Sequence, residues 1–304
     1  MTHQPLIDLS QVTVGRSSAE AFKATPATPL HDIQGQVDTR QVPLNRVGIK
    51  NVDVPLTLIQ KNGRQQVVAA SATMSVGLQA ECKGTHMSRF VLQLAEWSLK
   101  KPVSINMREF LQETLERLNA PSAQADLRFK YFVDKPAPIS RLTAPMGYDC
   151  QFSARMTTAS PTSAPNSYQF CLGLDVPMST LCPCSKAISD FGAHNQRAIA
   201  HVKLLLDTVH EDEHPLVWIE DVITQVEECA SCPVYPLLKR VDEKYVTERQ
   251  YTNAKFVEDV IRDITVVFRQ FPGVQGFSIE VEALESIHAH NAWAAHAENF
   301  QFAG

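Results

Sequence analysis

The stretch TTASPTSAPN, residues 157–166, divides the chain into two parts that carry similar patterns. Its proline, serine and threonine content is typical of a linker between structured segments. Before it, the sequence predicts two strands, two helices and two strands, and after it the same order begins again. Two copies of this order predict an α+β protein, in which antiparallel strands carry helices on one face.

The part before the linker contains a strong hairpin signal. Asn62-Gly63 lies between two strand-like runs, and this dipeptide favours the tight turn of a β-hairpin. Apolar residues at helical spacing follow in two segments, and Ser104 or Asn106 is a candidate cap for the second helix. The predicted elements are strands at 52–60 and 65–78, helices at 87–99 and around 110–118, and strands at 127–133 and 148–156.

The part after the linker repeats this order at lower regularity. The predicted elements are strands at 167–176, 197–205 and 277–283, with helices at 216–229 and 257–271. Residues 1–50 are polar with little periodicity, which predicts an extended arm that wraps a partner subunit. The expected organisation is therefore an N-terminal arm at 1–50, a first half at 51–157 and a second half at 167–304.

The composition limits the classes of function. The chain has 304 residues, 44% hydrophobic content and a formal net charge of -5, which argues against general binding of nucleic acid. No apolar run approaches the ~18 residues of a membrane-spanning helix, and the N-terminus lacks a secretory pattern. Seven cysteines in such a chain predict reduced thiols and a cytoplasmic protein.

A second stretch, CPCSKAISDFGAHNQR at residues 182–197, holds the strongest candidate site. Pro183 predicts that Cys182 and Cys184 lie on a turn, outside any helix interior, and Gly192 predicts a bend just before His194. Thiolates and an imidazole on adjoining loops suit Zn²⁺ or Fe²⁺. Two alternatives stay open from spacing alone: a nucleophilic thiolate, or half-buried structural side chains.

Candidate acid, base and substrate-binding residues follow in the second part. Glu258 lies in the first turn of a predicted helix, where the helix dipole favours a carboxylate. The functional alternative for Glu258 is a carboxylate that accepts two N–H bonds from a planar purine edge. Glu243 precedes a segment that reads as a strand or loop. His288 and His290 alternate, so on a strand they would share one face, as an acid/base pair or as solvated side chains.

Three further groups have both a structural and a functional interpretation. The CASC stretch at 229–232 is a redox pair, half of a zinc site or helix-end packing, and we favour the packing. Arg240 and Lys244 belong to a basic run that is either solvated or binds phosphates. His86 and Arg89 lie at a predicted helix start, where anions bind readily. No Walker-type or GxGxxG loop occurs to hold a phosphate instead.

Five blocks resemble sequence landmarks of the type IB GTP cyclohydrolase family. They are DTRQVPLNRVGIKN at 38–51, GTHMSRF at 84–90, LCPCSKAISDFGAHNQR at 181–197, DEKYVTERQYTNAKFVED at 242–259 and ESIHAHNA at 285–292. The resemblance covers the chain from about residue 6. It implies a tandem ββααββ-like tunnelling fold whose sheets assemble into barrels, in a homotetramer with active sites between subunits. It also implies hydrolysis of GTP to 7,8-dihydroneopterin triphosphate and formate, the first step toward tetrahydrofolate.

The resemblance further implies a divalent metal, zinc, manganese or iron, and a role for each matching residue. Cys182 is the implied catalytic cysteine near the metal. Residues at matching positions are the candidate metal ligands Cys182, Cys184, His194 and Glu243, the catalytic histidines His288 and His290, and the purine anchor Glu258. Four basic side chains complete the candidate substrate site: His86, Arg89, Arg240 and Lys244. The connection at 207–219 is expected to be a surface excursion.

Two alternative functions come from other classes. A tunnelling-fold nitrile reductase would use a cysteine nucleophile and NADPH, and His194 after the CPC block and the ESIHAH segment both argue against it. A structural zinc protein that only binds nucleotides would hold metal without turning over substrate. Incubation with GTP and Mn²⁺ or Zn²⁺, followed by assay of formate and of the fluorescent oxidised pterin, separates these functions.

Overall fold

The computed structural model describes residues 32–100, 107–158, 167–207 and 217–302. In chain order its elements are β1 (Leu44–Ile59), β2 (Gln65–Leu78), α1 (Met87–Lys100), α2 (Met107–Leu118), β3 (Ser122–Pro136), β4 (Thr143–Thr157), β5 (Ser167–Leu181), α3 (Pro183–Ile188), β6 (Asn195–Leu206), α4 (Ile219–Cys229), β7 (Cys232–Pro233), α5 (Arg240–Thr252), α6 (Val257–Arg269), β8 (Val274–Ala283) and β9 (Ala292–Glu298).

The strands form one antiparallel sheet in the order β1-β2-β3-β4-β5-β6-β8-β9, with the short β7 paired to β5. The order ββααββ occurs twice, first as β1, β2, α1, α2, β3, β4 and then as β5, β6, α4, α6, β8, β9. The second copy also contains α3, β7 and α5. The predicted α+β tandem is therefore confirmed. Assembly of such sheets into barrels and the division into arm and halves stay predictions.

One face of the sheet carries the hydrophobic core. Along β4, Tyr148, Cys150 and Phe152 are buried, whereas Asp149 is exposed on the opposite face and Gln151 is half-buried there. The helices pack on the buried side, and α6 contributes an apolar stripe of Val257, Val260, Ile261, Ile264 and Phe268. This alternation leaves the other face of the sheet polar, because successive side chains on a strand point to opposite faces.

The predicted hairpin at Asn62-Gly63 is confirmed. Ile59 pairs with Gln65, and between them the Gly63 amide donates to the Gln60 carbonyl at 2.8 Å. Gly63 has a φ of 80°, a conformation that costs a glycine little because it has no Cβ. The Asn-Gly signal succeeded because the turn geometry itself selects these residue types.

Several element predictions were wrong or incomplete. Strand β1 begins at Leu44 and not at Val52, so part of the predicted arm is sheet. Helix α5 was missed because it has no apolar stripe, with only Asp242 and Gln250 buried. Strand β9 was also missed, since its alanine-rich sequence has little strand character.

Some predictions fall outside the described residues. These are the candidate caps Ser104 and Asn106, most of the linker, the centre of the excursion at 207–219 and the N-terminal arm up to residue 31. In the part of the chain that is described, no helix has the length and apolar character needed to cross a membrane.

Candidate active site

The candidate site begins where β5 ends. Cys182 is the N-cap of α3, and its sulfur accepts a weak hydrogen bond from the Ser185 amide at 3.4 Å. Pro183 occupies the first helical turn, where its missing N–H costs nothing. The predicted turn is therefore wrong for Cys184, which lies inside the short helix and is exposed. Cys182 itself is half-buried at the helix start.

His194 lies next to the Cys182 turn, to which its backbone is hydrogen-bonded. Gly192 has a φ of 91°, so the predicted bend is confirmed. The Cys182 amide donates to the His194 carbonyl at 3.1 Å, and the His194 amide donates to Ser185 Oγ at 3.2 Å. Ser185 thus joins the cysteine turn to the histidine strand. Ser185 was not predicted as part of the site, because a serine three residues after a cysteine N-cap does not match the capping-box pattern of Ser or Thr followed by Glu or Gln.

A small polar network fixes the ring of His194. Gln196 donates its amide N–H groups to Thr180 Oγ1 at 3.2 Å and to Glu285 Oε1 at 3.4 Å. Its amide oxygen therefore faces His194, whose Nδ1 lies 3.0 Å away. With Nδ1 donating to Gln196, Nε2 becomes the ring nitrogen that can accept a proton or bind a metal. Sequence analysis did not identify Gln196 or Glu285.

The loop between β8 and β9 carries the two paired histidines to the same end of the sheet. His288 and His290 lie in a series of bends, so the shared face expected for a strand does not apply. Their rings stack instead, with centroids 5.2 Å apart and planes inclined by 16°. Ser286 Oγ lies 3.4 Å from His194 Nδ1, which joins this loop to the Cys182 region. Both histidines are exposed to solvent.

Glu258 also lies at this end. The Lys255 amide donates to the Leu181 carbonyl at 3.1 Å, which brings the start of α6 beside the end of β5. Asp259 caps the helix by accepting from the Phe256 amide at 3.0 Å. This leaves Glu258 exposed in the first turn, with its carboxylate available to a ligand. The structure therefore brings Cys182 and Glu258 to one end of the sheet.

Glu243 lies in the first turn of α5, whereas the C-terminal end of α5 is the end near His194. Asn195, next to His194, donates to Gln250 Oε1 at 2.5 Å, near the C-terminus of α5. Glu243 precedes Gln250 by seven residues, which is a rise of about 10 Å. Its exposed carboxylate shares the N-terminal end of α5 with Arg240 and Lys244. Within one chain, these three residues are not brought together with His194.

Buried Asp242 fixes that end of α5. Its carboxylate accepts from the Ile139 and Ser140 amides at 2.8 Å and from the Lys239 amide at 2.9 Å. Burial works against the charged form, but these hydrogen bonds and that of the Ser140 hydroxyl outweigh it and hold the pKa of Asp242 well below its usual range. Glu243, Arg240 and Lys244 thus have a firm backbone beneath exposed side chains.

His86 and Arg89 lie at the opposite end of the sheet from Cys182. They follow β2, whose C-terminal part pairs with the start of β3, whereas Cys182 follows the end of β5. His86 Nε2 lies 3.4 Å from Asp32 Oδ2, and Arg89 donates to the Arg117 carbonyl at 3.0 Å. These two residues cannot line one pocket with Cys182 in a single chain, so their predicted role requires a second subunit.

The candidate metal ligands have the donor types that a divalent cation requires, but the described residues of a single chain do not bring enough of them together to bind one. Thiolate, imidazole and carboxylate suit zinc, and the backbone joins Cys182 to His194. Among the described residues, however, no three His, Cys, Asp or Glu side chains converge as a metal centre. One chain therefore supplies an incomplete ligand set, in which the backbone joins Cys182 to His194 and Glu243 lies at the far end of α5.

The second cysteine pair supports helix-end packing. Cys229 and Cys232 are buried free thiols at the end of α4 and in β7, and Cys229 donates to the Gln225 carbonyl at 3.2 Å. Burial raises the pKa of Cys229 to about 11, so this thiol stays protonated at neutral pH. A buried, protonated thiol is a poor metal ligand and a poor nucleophile.

Comparison with known proteins identifies the family. The model of the family described as type I GTP cyclohydrolase FolE2 matches residues 30–294. GTP cyclohydrolase FolE2 from Geobacter sp. strain M21 is 43% identical over 267 residues, covering 88% of this chain and 94% of that protein. The FolE2 of Thermosipho africanus strain TCF52B is 41% identical over 265 residues, covering 87% and 96%.

Solved structures give a weaker comparison. Urate oxidase from Bacillus sp. TB-90 aligns with a TM-score of 0.47 and 9% identity, over 84% of this chain and 99% of that chain. That similarity is too low to support any functional argument.

The sequence matches define the class as type I GTP cyclohydrolase. Within it, the chain belongs to the FolE2 family. The resemblance predicted from the five sequence blocks is thereby confirmed at the level of the family, and the nitrile reductase alternative loses its support.

Proposed function

We propose that this protein is a GTP cyclohydrolase that opens the guanine ring of GTP at C8, as a hydrolase of a cyclic amidine. The products are 7,8-dihydroneopterin triphosphate and formate, at the entry to tetrahydrofolate synthesis. The observation that carries the proposal is the 43% identity to a curated GTP cyclohydrolase FolE2 over 88% of this chain. The position of Cys182, His194 and Glu258 at the same end of the sheet supports it.

Binding of the base is assigned to Glu258. Guanine presents a ring N–H and an exocyclic amine side by side, and a carboxylate can accept from both donors. Glu258 is exposed at the start of α6, whose backbone is held by the packing of Val257 and by the Lys255–Leu181 hydrogen bond. A rigid anchor holds C8 of guanine in a fixed position relative to the attacking water. Holding the reacting atoms in the right geometry lowers the entropic part of the barrier.

Acid and base chemistry is assigned to the histidines. Opening the imidazole ring needs water to lose a proton as it attacks C8 and needs N7 to gain one. His288 and His290 are exposed on the loop that Ser286 joins to His194, so they can reach a bound base from that side. Imidazoles suit both transfers because their ordinary pKa lies near neutral pH.

The metal ligands are assigned to Cys182 or Cys184, His194 and Glu243, in an assembly that completes the set. When bound, a divalent metal supplies a water of lowered pKa at neutral pH. His194 would use Nε2, since Gln196 engages Nδ1. We extend the proposal to a cytoplasmic homotetramer in which His86, Arg89, Arg240 and Lys244 bind the triphosphate, with His86 and Arg89 supplied by a different subunit from the one that supplies Cys182.

The proposal is tested by turnover. Purified protein is incubated with GTP and Zn²⁺, Mn²⁺ or Fe²⁺, and formate is measured together with the fluorescence of the oxidised pterin. Formation of both products in equal amounts is the expected result. Stoichiometric metal with neither product would replace the proposal with a protein that binds zinc and nucleotide without catalysis.

Replacing Glu258 by glutamine should weaken substrate recognition without changing metal content. Glutamine offers one acceptor and an N–H₂ group that opposes the guanine donors, so a buried polar contact is left unpaired. The expected loss in kcat/KM for GTP is on the order of 2–4 kcal/mol. Steady-state kinetics on Glu258→Gln and on the control Asp263→Asn, five residues further along α6, measure it.

A variant that loses metal but keeps its affinity for GTP would contradict this assignment. The roles of Glu258 and Glu243 would then be exchanged.

Metal analysis should give one divalent ion per subunit. We expect His194→Ala and Glu243→Ala each to reduce the metal content strongly, because a catalytic site with three protein ligands cannot lose one of them and still bind the ion tightly. Elemental analysis of purified tetramer and variants makes the measurement, and Cys229→Ser serves as the control. Loss of metal in the Cys229 variant with retention in the His194 variant would move the site to the CASC stretch.

A further inference from the structure

The polar face of the sheet, opposite the helices, contains a cavity with an unusual charge. Its volume is about 210 Å³. The strands β1, β3, β4, β5 and β6 supply most of its walls, and the C-terminal segment after β9 closes it with Phe300 and Phe302. Its charged lining residues are Arg46, Asp126, Arg128, Arg155 and Lys203. Four cations thus share one cavity with one carboxylate, in a protein of net charge -5.

The single carboxylate is already engaged. Asp126 accepts from Ser153 Oγ at 2.7 Å and from Gln124 Nε2 at 3.0 Å. Arg46 Nη2 lies 3.6 Å from Asp126 Oδ2, the oxygen that also accepts from Gln124. Asp126 forms no other ion pair of this length in the described residues, although its charge also acts on Arg155, so one carboxylate faces four cations.

None of the other three cations lies within 4 Å of a carboxylate oxygen in the described part of the chain. Arg128 donates to the neutral Gln151 at 3.3 Å. Arg155 stacks on the Phe302 ring at 4.3 Å, and its buried Nε has no hydrogen-bond partner among the described residues. Lys203 is exposed to the cavity, with no ion pair or hydrogen bond in the same ranges. Cations that approach without a counter-charge repel each other, and a buried guanidinium N–H without a partner is costly.

The strand register places a glycine, which has no side chain, in the row between Arg128 and Lys203. Arg128 pairs with Gln151, Gln151 with Gly173, and Gly173 with Lys203, so the four positions form a row across β3 to β6. Gly173 has no side chain, which opens the floor of the cavity between the Arg128 and Lys203 side chains. A ligand that lies over Gly173 can therefore be reached from both sides.

We propose that this cavity is a binding site for a small oxyanion, of the size and charge of inorganic phosphate. Arginine and lysine provide charge-assisted hydrogen bonds to such groups. The volume is below the ~300 Å³ at which pockets for whole drug-sized ligands begin, which suits a small ion. A larger adjoining cavity shares Arg128 and Lys203 with this one and adds the carboxylates of Asp149, Asp175 and Glu280, so the excess of positive charge is greatest on the side of Arg46 and Arg155.

This site is separate from the candidate active site. Gly173 precedes Cys182 by nine residues along β5, which corresponds to roughly 30 Å of extended strand. The inference does not depend on the proposed cyclohydrolase activity, because it rests on the charge balance of the opposite face. Bound anion would stabilise the folded protein by an amount that grows with the logarithm of the anion concentration above Kd.

The experiment measures binding of inorganic phosphate to the full-length assembled protein by equilibrium dialysis, at fixed ionic strength in chloride. We expect Lys203→Gln to weaken phosphate binding at one class of sites by about 10-fold or more, as the loss of a charged hydrogen bond does. Arg155→Gln should have the same effect if it folds, and Lys203 is exposed enough that its variant keeps the fold. Phosphate held by the triphosphate residues forms a background that neither variant changes.

The matched control is Lys130→Gln. Lys130 lies on the same face but is already paired with Asp149 at 2.7 Å, so its removal should leave phosphate affinity within about twofold. A crystal soaked in selenate should show an anomalous peak between Lys203 and Arg128. Equal phosphate affinity in wild type and Lys203→Gln, or selenate peaks only elsewhere, would overturn the proposal.

Discussion

Replacing Cys182 by serine is expected to lower kcat/KM for GTP by about 10⁴-fold while the protein stays folded. Serine is among the best N-cap residues, so the start of α3 keeps or improves its cap when the sulfur is replaced by oxygen. What the variant loses is a soft sulfur donor on a backbone that is hydrogen-bonded to that of His194, and a serine hydroxyl is a much weaker metal ligand and nucleophile at neutral pH. The loss therefore reports chemistry and not folding.

The measurement combines steady-state kinetics with thermal unfolding of the same preparations. Cys82→Ser is the matched control, because Cys82 is an exposed free thiol in the first half of the chain, outside the candidate site. Cys184→Ser distinguishes the two cysteines of the CPC block. Near-normal turnover in Cys182→Ser, or a loss of activity that follows unfolding, would remove the catalytic assignment.

Replacing Lys135 by methionine should destabilise the protein by about 3–5 kcal/mol, the usual cost of removing one partner from a buried ion pair. Lys135 Nζ lies 2.6 Å from Glu227 Oε1, and only 10% and 8% of the two side chains are exposed. Tyr148 donates to the same carboxylate oxygen at 2.8 Å, and the Tyr235 ring lies 4.8 Å from the ammonium. Methionine leaves the carboxylate buried without its counter-charge.

The pKa shifts of Lys135 and Glu227 both indicate that burial disfavours the charged forms of this pair. Burial lowers the pKa of Lys135 and raises the pKa of Glu227, although each partner's charge acts in the opposite direction. Desolvation therefore exceeds the attraction between the two charges. It follows that the double variant Lys135→Met with Glu227→Gln should recover much of the loss, because glutamine still accepts from Tyr148.

The stability deficit of Lys135→Met should change with pH in a definite direction. A carboxyl whose pKa is raised on folding stabilises the folded state when protonated, and that contribution is lost as pH rises. In Lys135→Met, the deficit relative to wild type should therefore shrink as pH falls toward 4.5, the ordinary pKa of Glu227. Urea unfolding at several pH values measures this. Lys130→Met, which breaks an exposed pair, should cost less than about 1 kcal/mol.

An equal deficit at all pH values, or a double variant no more stable than the single one, would contradict this account of the pair.

The sequence predicted those parts of the fold that depend on local patterns. The Asn62-Gly63 hairpin and the α6 stripe follow from turn geometry and from helical periodicity, so both were found. Helix α5 was missed because it is held by polar contacts of Asp242 with a loop distant in sequence. No periodic signal marks a helix whose stability comes from such long-range hydrogen bonds.

The candidate site was predictable in residue type and only partly in arrangement. Motif resemblance identified Cys182, His194 and Glu258, and the structure brings these to one end of the sheet. It did not indicate that Glu243 lies at the far end of α5, or that Gln196 determines which nitrogen of His194 is available. Those facts depend on tertiary contacts and on side-chain orientation, neither of which a spacing pattern encodes.

The order of strands in the sheet has a consequence for folding kinetics. From β1 to β6, every strand pairs with the next in sequence, and every connection except the helical one between β2 and β3, residues 79–121, is short and of low entropic cost. The pairing of β6 with β8 instead encloses residues 207–273, which makes it the most non-local step and the expected slow one. The start of α6 lies within that enclosed segment and the histidine loop follows β8 directly, so the end of the sheet that carries Cys182 should acquire its native arrangement last during refolding.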